Sequence, residues 1–367
     1  MAVIHWLGGV NSDFNTAGNW GGGVVPLVGD DAIIDLAGAA VVSSADNSVN
    51  TLAVIGTASL SIASGTFTVI SGSGSGNLAG HVTVADGATL SIGGTIVNSG
   101  TINESSAGTT TKIVLNQTTN ILQGGGQVIL SANANNQIIG AKSTFLLDNQ
   151  NNTISGSGQL GSSFMALSNE GVINANKAAA ALTVDTAGNV IINAGTMEAT
   201  GGGSLTINSP VNNVGGTIEA VGAGSIVFLQ ASVTGGTVFS SGGGQIKTPS
   251  GNITLDGLGL HPVTNGTALP VLNGNTITLL GNIINNGTIN LNSAGANTDL
   301  RVGSPIVTLQ GKGAITLTNQ PNNRIFGNNG AFQLINQGNT ISGAASLARR
   351  SLRSAMPGWW TPTRRRR

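Results

Sequence analysis

One short pattern returns along this chain and fixes most of what it can fold into. Asn98-Ser-Gly-Thr-Ile-Asn103, Asn169-Glu-Gly-Val-Ile-Asn174, Asn193-Ala-Gly-Thr-Met-Glu198, Val214-Gly-Gly-Thr-Ile-Glu219, Thr234-Gly-Gly-Thr-Val-Phe239 and Asn285-Asn-Gly-Thr-Ile-Asn290 each run a turn signal into a short alternating strand. The fourth residue of the unit falls at Val172, Thr196, Thr217 and Thr237, spacings of 24, 21 and 20 residues. Between these units lie further strand patterns such as Ser204-Leu-Thr-Ile-Asn208 and Ser225-Ile-Val-Phe-Leu229. Two or three strands in about 20–24 residues make one rung of a parallel β-helix. A single rung cannot bury its apolar face, whereas stacked rungs share one continuous core.

A longer repeat lies over the short one. Residues 87–156 match residues 274–343 at a fixed offset of 187 with no gap. Gly100-Thr-Ile-Asn103 returns as Gly287-Thr-Ile-Asn290, Leu122-Gln-Gly124 as Leu309-Gln-Gly311, and Asn152-Thr-Ile-Ser-Gly156 as Asn339-Thr-Ile-Ser-Gly343. Apolar residues fall on apolar residues at Ile138/Ile325, Phe145/Phe332 and Leu147/Leu334. Duplication on this scale builds length.

The match stops at Gly343. The first copy continues Ser157-Gly-Gln-Leu-Gly161, and the second continues Ala344-Ala-Ser-Leu-Ala348 into Arg349, Arg350, Arg353, Trp359, Trp360 and the run Arg364 to Arg367. Loss of one base within the repeat yields this kind of change, so residues 344–367 are expected to be a non-native, frame-shifted tail on a truncated solenoid. The competing reading is a basic arm for nucleic acid or anionic lipid.

The composition agrees with an ordered all-β chain. Gly supplies 57 of 367 residues, charged residues are 8 %, and there is no Tyr. Disorder usually pairs low hydrophobicity with high charge. Here 40 % of residues are apolar and mean hydropathy is +0.22, so there is apolar surface to bury. With no Cys there is neither a disulfide nor a thiolate metal site. No apolar run is long enough for a membrane-spanning helix, and the first residues carry no visible secretory signal. Residues 1–343 hold 14 acidic against 7 basic groups, a net charge of −7, which argues against nucleic-acid binding.

The opening segment carries a resemblance. Trp6-Leu-Gly-Gly-Val-Asn-Ser-Asp-Phe14, Ala17-Gly-Asn-Trp20, Val25-Pro26 and Gly29-Asp-Asp-Ala-Ile-Ile34 resemble the segment that opens the passenger-type β-strand-repeat regions of bacterial autotransporters and related large surface adhesins. The rungs that follow resemble the same proteins, so the likeness spans about residues 3–343. It implies a right-handed β-solenoid, extracellular or on the cell surface, used in attachment, aggregation or biofilm. The implied partners are host cells, matrix, polysaccharide or further copies of the chain. The chain departs from that family in showing no export signal and no C-terminal β-barrel translocator, and a fragment or another export route is expected.

Candidate chemistry is sparse. Asp30 and Asp31 are adjacent carboxylates. They are read as a structural turn into the strand that follows, and a Ca²⁺ site with Asp13 or Asp35 would need six or more oxygen ligands. His5, His81 and His261 stand on distant rungs. Lys112, Lys142, Lys177, Lys247 and Lys312 are isolated. Neither set forms the clustered groove of a polysaccharide lyase or hydrolase, the leading enzymatic alternative; a phage or other fibre protein is the second alternative. Trp6, Phe14 and Trp20 are expected to cap the open end of the helix. Gly201-Gly-Gly203 and Gly242-Gly-Gly244 lack the Lys-Ser/Thr ending of a phosphate loop and are read as rung corners. No catalytic, cofactor-binding or metal-binding residue is expected.

The expected architecture is therefore all-β: a capping segment over 1–35, a single right-handed parallel β-helix over 36–343 with roughly 15 rungs, and the basic tail. Ile, Val and Leu should face inward, with Asn, Ser and Thr outside. Asn98, Asn103, Asn285 and Asn290 hold equivalent places in the two copies, and stacked amides can form hydrogen-bonded ladders. A raw terminal rung predicts end-to-end association.

Overall fold

The computed structural model describes residues 1–74, 77–249, 251–347 and 353–355, the last three and 345–347 by backbone alone. Most of the basic tail therefore lies outside the described residues, including Arg349, Arg350, Trp359, Trp360 and Arg364 to Arg367. The described chain is a β-solenoid of about 14 turns with no α-helix. It divides into two compact units, Met1–Ile191 and Ile192–Arg367.

In the first unit the strands pair in parallel, each with the strand one rung away. Val41, Leu60, Val82, Ile102, Val128, Ile154 and Ile173 stand directly over one another through six successive pairings. All seven are buried. The alternation of the sequence causes this. In Thr101–Glu104 the pleat sends Ile102 inward and leaves Thr101 and Asn103 half-buried on the other face. In the second unit the same logic stacks Ile253, Ile277, Leu300 and Ile325, and separately Leu269, Ile289 and Ile315. Each such aliphatic side chain contributes roughly 1.5–3 kcal/mol relative to exposure, so the columns hold the stack together.

The glycine of the recurring unit is required by space. A Cβ on Gly100 would run into the Gly80 carbonyl oxygen, and one on Gly287 into that of Thr267. Rungs approach too closely at this corner for any side chain.

The structure departs from the expected sorting of side chains at the corners. Asn98, Asn149, Asn152, Asn169, Asn193, Asn213, Asn265, Asn285 and Asn339 are buried, not outside. Asn103 and Asn290 are half-buried on the opposite face of the strand. The reason lies at the turns. Where a rung turns, the side-chain amides bond to one another and to backbone carbonyls of their own and adjoining rungs, and a buried amide must be satisfied in this way. An Asn amide offers two donors and one acceptor in a small volume. Asn98 Nδ2 donates to Asn152 Oδ1 at 2.8 Å and to Gln127 O at 3.0 Å. The equivalent Asn285 Nδ2 donates to Asn339 Oδ1 at 2.7 Å and to Ala314 O at 3.2 Å.

Candidate functional site

The N-terminal segment forms an aromatic cluster over the first rungs. Val3–His5 pairs in parallel with Asp31–Ile34, which pairs with Thr51–Val54. The chain between the first two strands folds through the two short 3₁₀ turns Ala17–Asn19 and Gly21–Gly23. This brings Trp6 and Trp20 edge to face at 5.0 Å, and Phe14 against Trp20 at 4.9 Å. Phe14 also meets Phe67 at 5.1 Å. All four are buried. Trp20 Nε1 donates to Phe14 O at 2.6 Å, so the indole leaves no polar atom stranded. Asn19, also buried, accepts from the Val10 and Asn11 amides and donates to Asn11 Oδ1 and Asp13 O, holding the loop in place. These rings have no face open to a sugar. Phe67 was not legible as part of this cluster, because it lies in the ordinary strand pattern Thr66–Val69.

The neighbouring carboxylates Asp30 and Asp31 serve different contacts. Asp30 accepts from the Ala2 and Leu27 amides, and these two bonds hold its carboxyl below the usual range. Asp31 Oδ1 accepts from Asn50 Nδ2 and Thr51 Oγ1, both at 2.7 Å. Asp13 accepts from Asn15 N and Thr16 Oγ1, and Asp35 contacts His5 Nδ1 at 2.9 Å. Each of the four carboxylates has at least one oxygen committed to a local partner. Among the described residues no three His, Asp or Glu side chains converge as metal ligands.

The duplicated copies act as internal controls. Asp86 Oδ1 receives the Ala107, Gly108 and Thr109 amides. At the matching place Asn273 Oδ1 receives those of Ala294 and Ala296. An oxygen acceptor is needed here, and a charge is not. The reverse contrast is Glu104, which matches Leu291. Glu104 stands in register between Val84 and Leu130 and is fully buried. Oε1 accepts from Gln137 N at 2.7 Å and Oε2 has no hydrogen-bond partner. Burial pushes its carboxyl up to about 8, with the Gln137 amide a lesser, opposing influence.

That burial has a consequence for stability against pH. Above the ordinary value of 4.5 the unfolded chain releases the proton while the folded chain keeps it, up to about 8. The unfolded state then binds fewer protons, so stability falls as pH rises through this window and levels off above it. The slope from this one group is about 1.4 kcal/mol per pH unit. Urea unfolding at pH 5 and pH 8 should show wild type losing stability relative to Glu104→Gln. Equal losses in the two proteins would contradict the assignment.

Outside the core, one cluster stands apart that the sequence reading did not single out. Arg301 and Arg324 are the two Arg residues before position 344. The parallel register Asp299↔Arg324 and Arg301↔Phe326 sets them side by side. Arg324 clamps Asp299 through Nε–Oδ1 at 2.8 Å and Nη2–Oδ2 at 2.7 Å. The guanidinium carbons of Arg301 and Arg324 lie 5.6 and 5.1 Å from the Phe326 ring centre. In the first copy the same four places hold Lys112, Val114, Gln137 and Ile139. The partners Asp299/Arg324 and Arg301/Phe326 are 25 residues apart, one rung at this place, a spacing that means contact only once the register is known. Elsewhere in this unit an open cleft of about 270 Å³ is lined by Ser240, Gln245, Lys247, Thr267 and Asn290. His81 is exposed at the start of its strand, and no helix among the described residues is long and apolar enough to cross a membrane.

Comparison with known proteins gives no match to a family model, to a characterised sequence or to a solved structure.

Proposed function

We propose that this chain is a non-catalytic adhesive β-solenoid, exposed on or released from a cell surface, that attaches to cells, matrix or polysaccharide and to other copies of itself. The observation that carries this reading is the duplication. Two 70-residue segments 187 positions apart make the same buried contacts, as Asn98–Asn152 and Asn285–Asn339 do. A chain that repeats its scaffold while varying its outer residues presents surface along a stack rather than one assembled centre. The likeness of the Trp6–Ile34 segment to surface adhesins supports the same reading.

Beads coated with the purified chain should clump, and should attach to matrix-coated plates and cultured cells, several-fold above beads coated with an unrelated β-protein. Beads that neither clump nor attach would overturn the proposal. So would release of new reducing ends from polygalacturonate by the purified chain, which would make it an enzyme.

A further inference from the structure

We infer that the outer sheet face around Arg301 is a binding site for an acidic polysaccharide, with the Arg301 guanidinium receiving a carboxylate. This rests on the adhesive reading and names one ligand class for it. Along the stack, Thr254, Thr278, Arg301 and Phe326 occupy one outward column, each in register with the next. Successive places in such a column are about 4.8 Å apart. The column thus offers two hydroxyls, then a guanidinium, then an aromatic ring.

The charge at the cluster is not balanced. Asp299 gives both oxygens to Arg324, whereas Arg301 Nη2 stays 4.0 Å from Asp299 Oδ2, beyond hydrogen-bond distance. Arg301 Nε is buried without an acceptor, and the side chain as a whole is one-third exposed at 33 %. Contact with Phe326 restrains the guanidinium. Nε is enclosed and out of a ligand's reach, so it is the exposed part of this restrained guanidinium, with Nη2 beyond hydrogen-bond distance of Asp299, that can meet a carboxylate in bidentate fashion. The first copy keeps the rung geometry here and lacks every one of these side chains, so the fold does not require them.

The chemistry of the column selects among polyanions. Nucleic acid is gripped by several cations along its phosphates, and this column has a single uncompensated one. A peptide adding to a sheet needs free backbone edges, and here the backbone groups are spent in the parallel ladders on both sides. A uronate polymer brings hydroxyl groups for Thr254 and Thr278 and a carboxylate for Arg301.

The test uses the full chain and immobilised polygalacturonate, with dextran, double-stranded DNA and poly-glutamate as comparisons. Wild type should bind polygalacturonate and release it as salt rises. Arg301→Gln should weaken binding about tenfold or more, the loss of one charge-assisted pair. Lys312→Gln, an equal change of charge at an exposed residue outside the column, should bind as wild type does. Asp299→Asn, which removes the competing carboxylate, should tighten binding several-fold, a gain that misfolding cannot mimic. No binding by wild type, or equal binding by Arg301→Gln, would overturn the inference. Binding of DNA or poly-glutamate as tightly and with the same dependence on Arg301 would overturn the saccharide assignment. If wild-type beads clump and attach while polygalacturonate binding is absent or unchanged by Arg301→Gln, this site falls and the adhesive reading stands.

Discussion

Asn285→Ala should lower the unfolding free energy by about 3 kcal/mol, far more than loss of an exposed Asn. Asn285 Nδ2 donates to Asn339 Oδ1 and Ala314 O, and Asn265 Nδ2 donates to it at 2.7 Å. Truncation strands the buried Asn265 donor on one side and the buried Asn339 acceptor on the other, and each such group costs about 1–3 kcal/mol. The first copy supplies a graded comparison. Asn98 Oδ1 has no partner, because the rung before it offers Leu78 where the second copy offers Asn265. Asn98→Ala therefore breaks fewer bonds and should cost visibly less than Asn285→Ala. Asn282→Ala, at an exposed place on the adjoining strand segment, should change stability by no more than about 0.5 kcal/mol. Urea denaturation of the three variants decides the order. Equal losses in all three would remove the amide ladder from the account.

Trp20→Ala should cost about 3–5 kcal/mol, the usual range for deleting a large buried aromatic. Trp20 meets both Trp6 and Phe14, and its indole N–H closes the only hydrogen bond that ties the aromatic cluster to the Phe14 carbonyl among those described. Its removal also leaves the first rungs open to water, so near-terminal strands should exchange amide hydrogens faster before global unfolding. Leu27→Ala is the matched control, because Leu27 is 66 % exposed on the same segment. A Trp20→Ala protein as stable as Leu27→Ala would show that the cluster packs without holding the stack.

The inward columns were legible because alternation has a period of two and Ile, Val and Leu occupy one parity in each recurring unit. The corner glycines were legible as turn signals, though the reason for Gly100 and Gly287 lies in a carbonyl from the preceding rung, which no local pattern displays. The buried amides were not legible. Asn usually lies outside, and the Asn–Asn contacts made here, between residues 20 or 54 apart, form only once rungs have stacked. Glu104 was hidden for the same reason: its place is the alternating inward position, taken by Leu291 in the other copy, and nothing local marks a carboxyl as buried. Arg301, Arg324 and Phe326 needed the register itself, because residues 23 and 25 apart become neighbours only when the rung length is known.

The same ladder gives the most direct test of the stacked-repeat account. Side-chain amide hydrogens of Asn98, Asn149, Asn265 and Asn285 should exchange with solvent at rates close to those of the buried backbone amides around them. The exposed Asn151 should exchange orders of magnitude faster in the same spectrum. Rapid exchange at Asn98 and Asn285 alike would contradict the account, because the two copies would then not share a buried amide core.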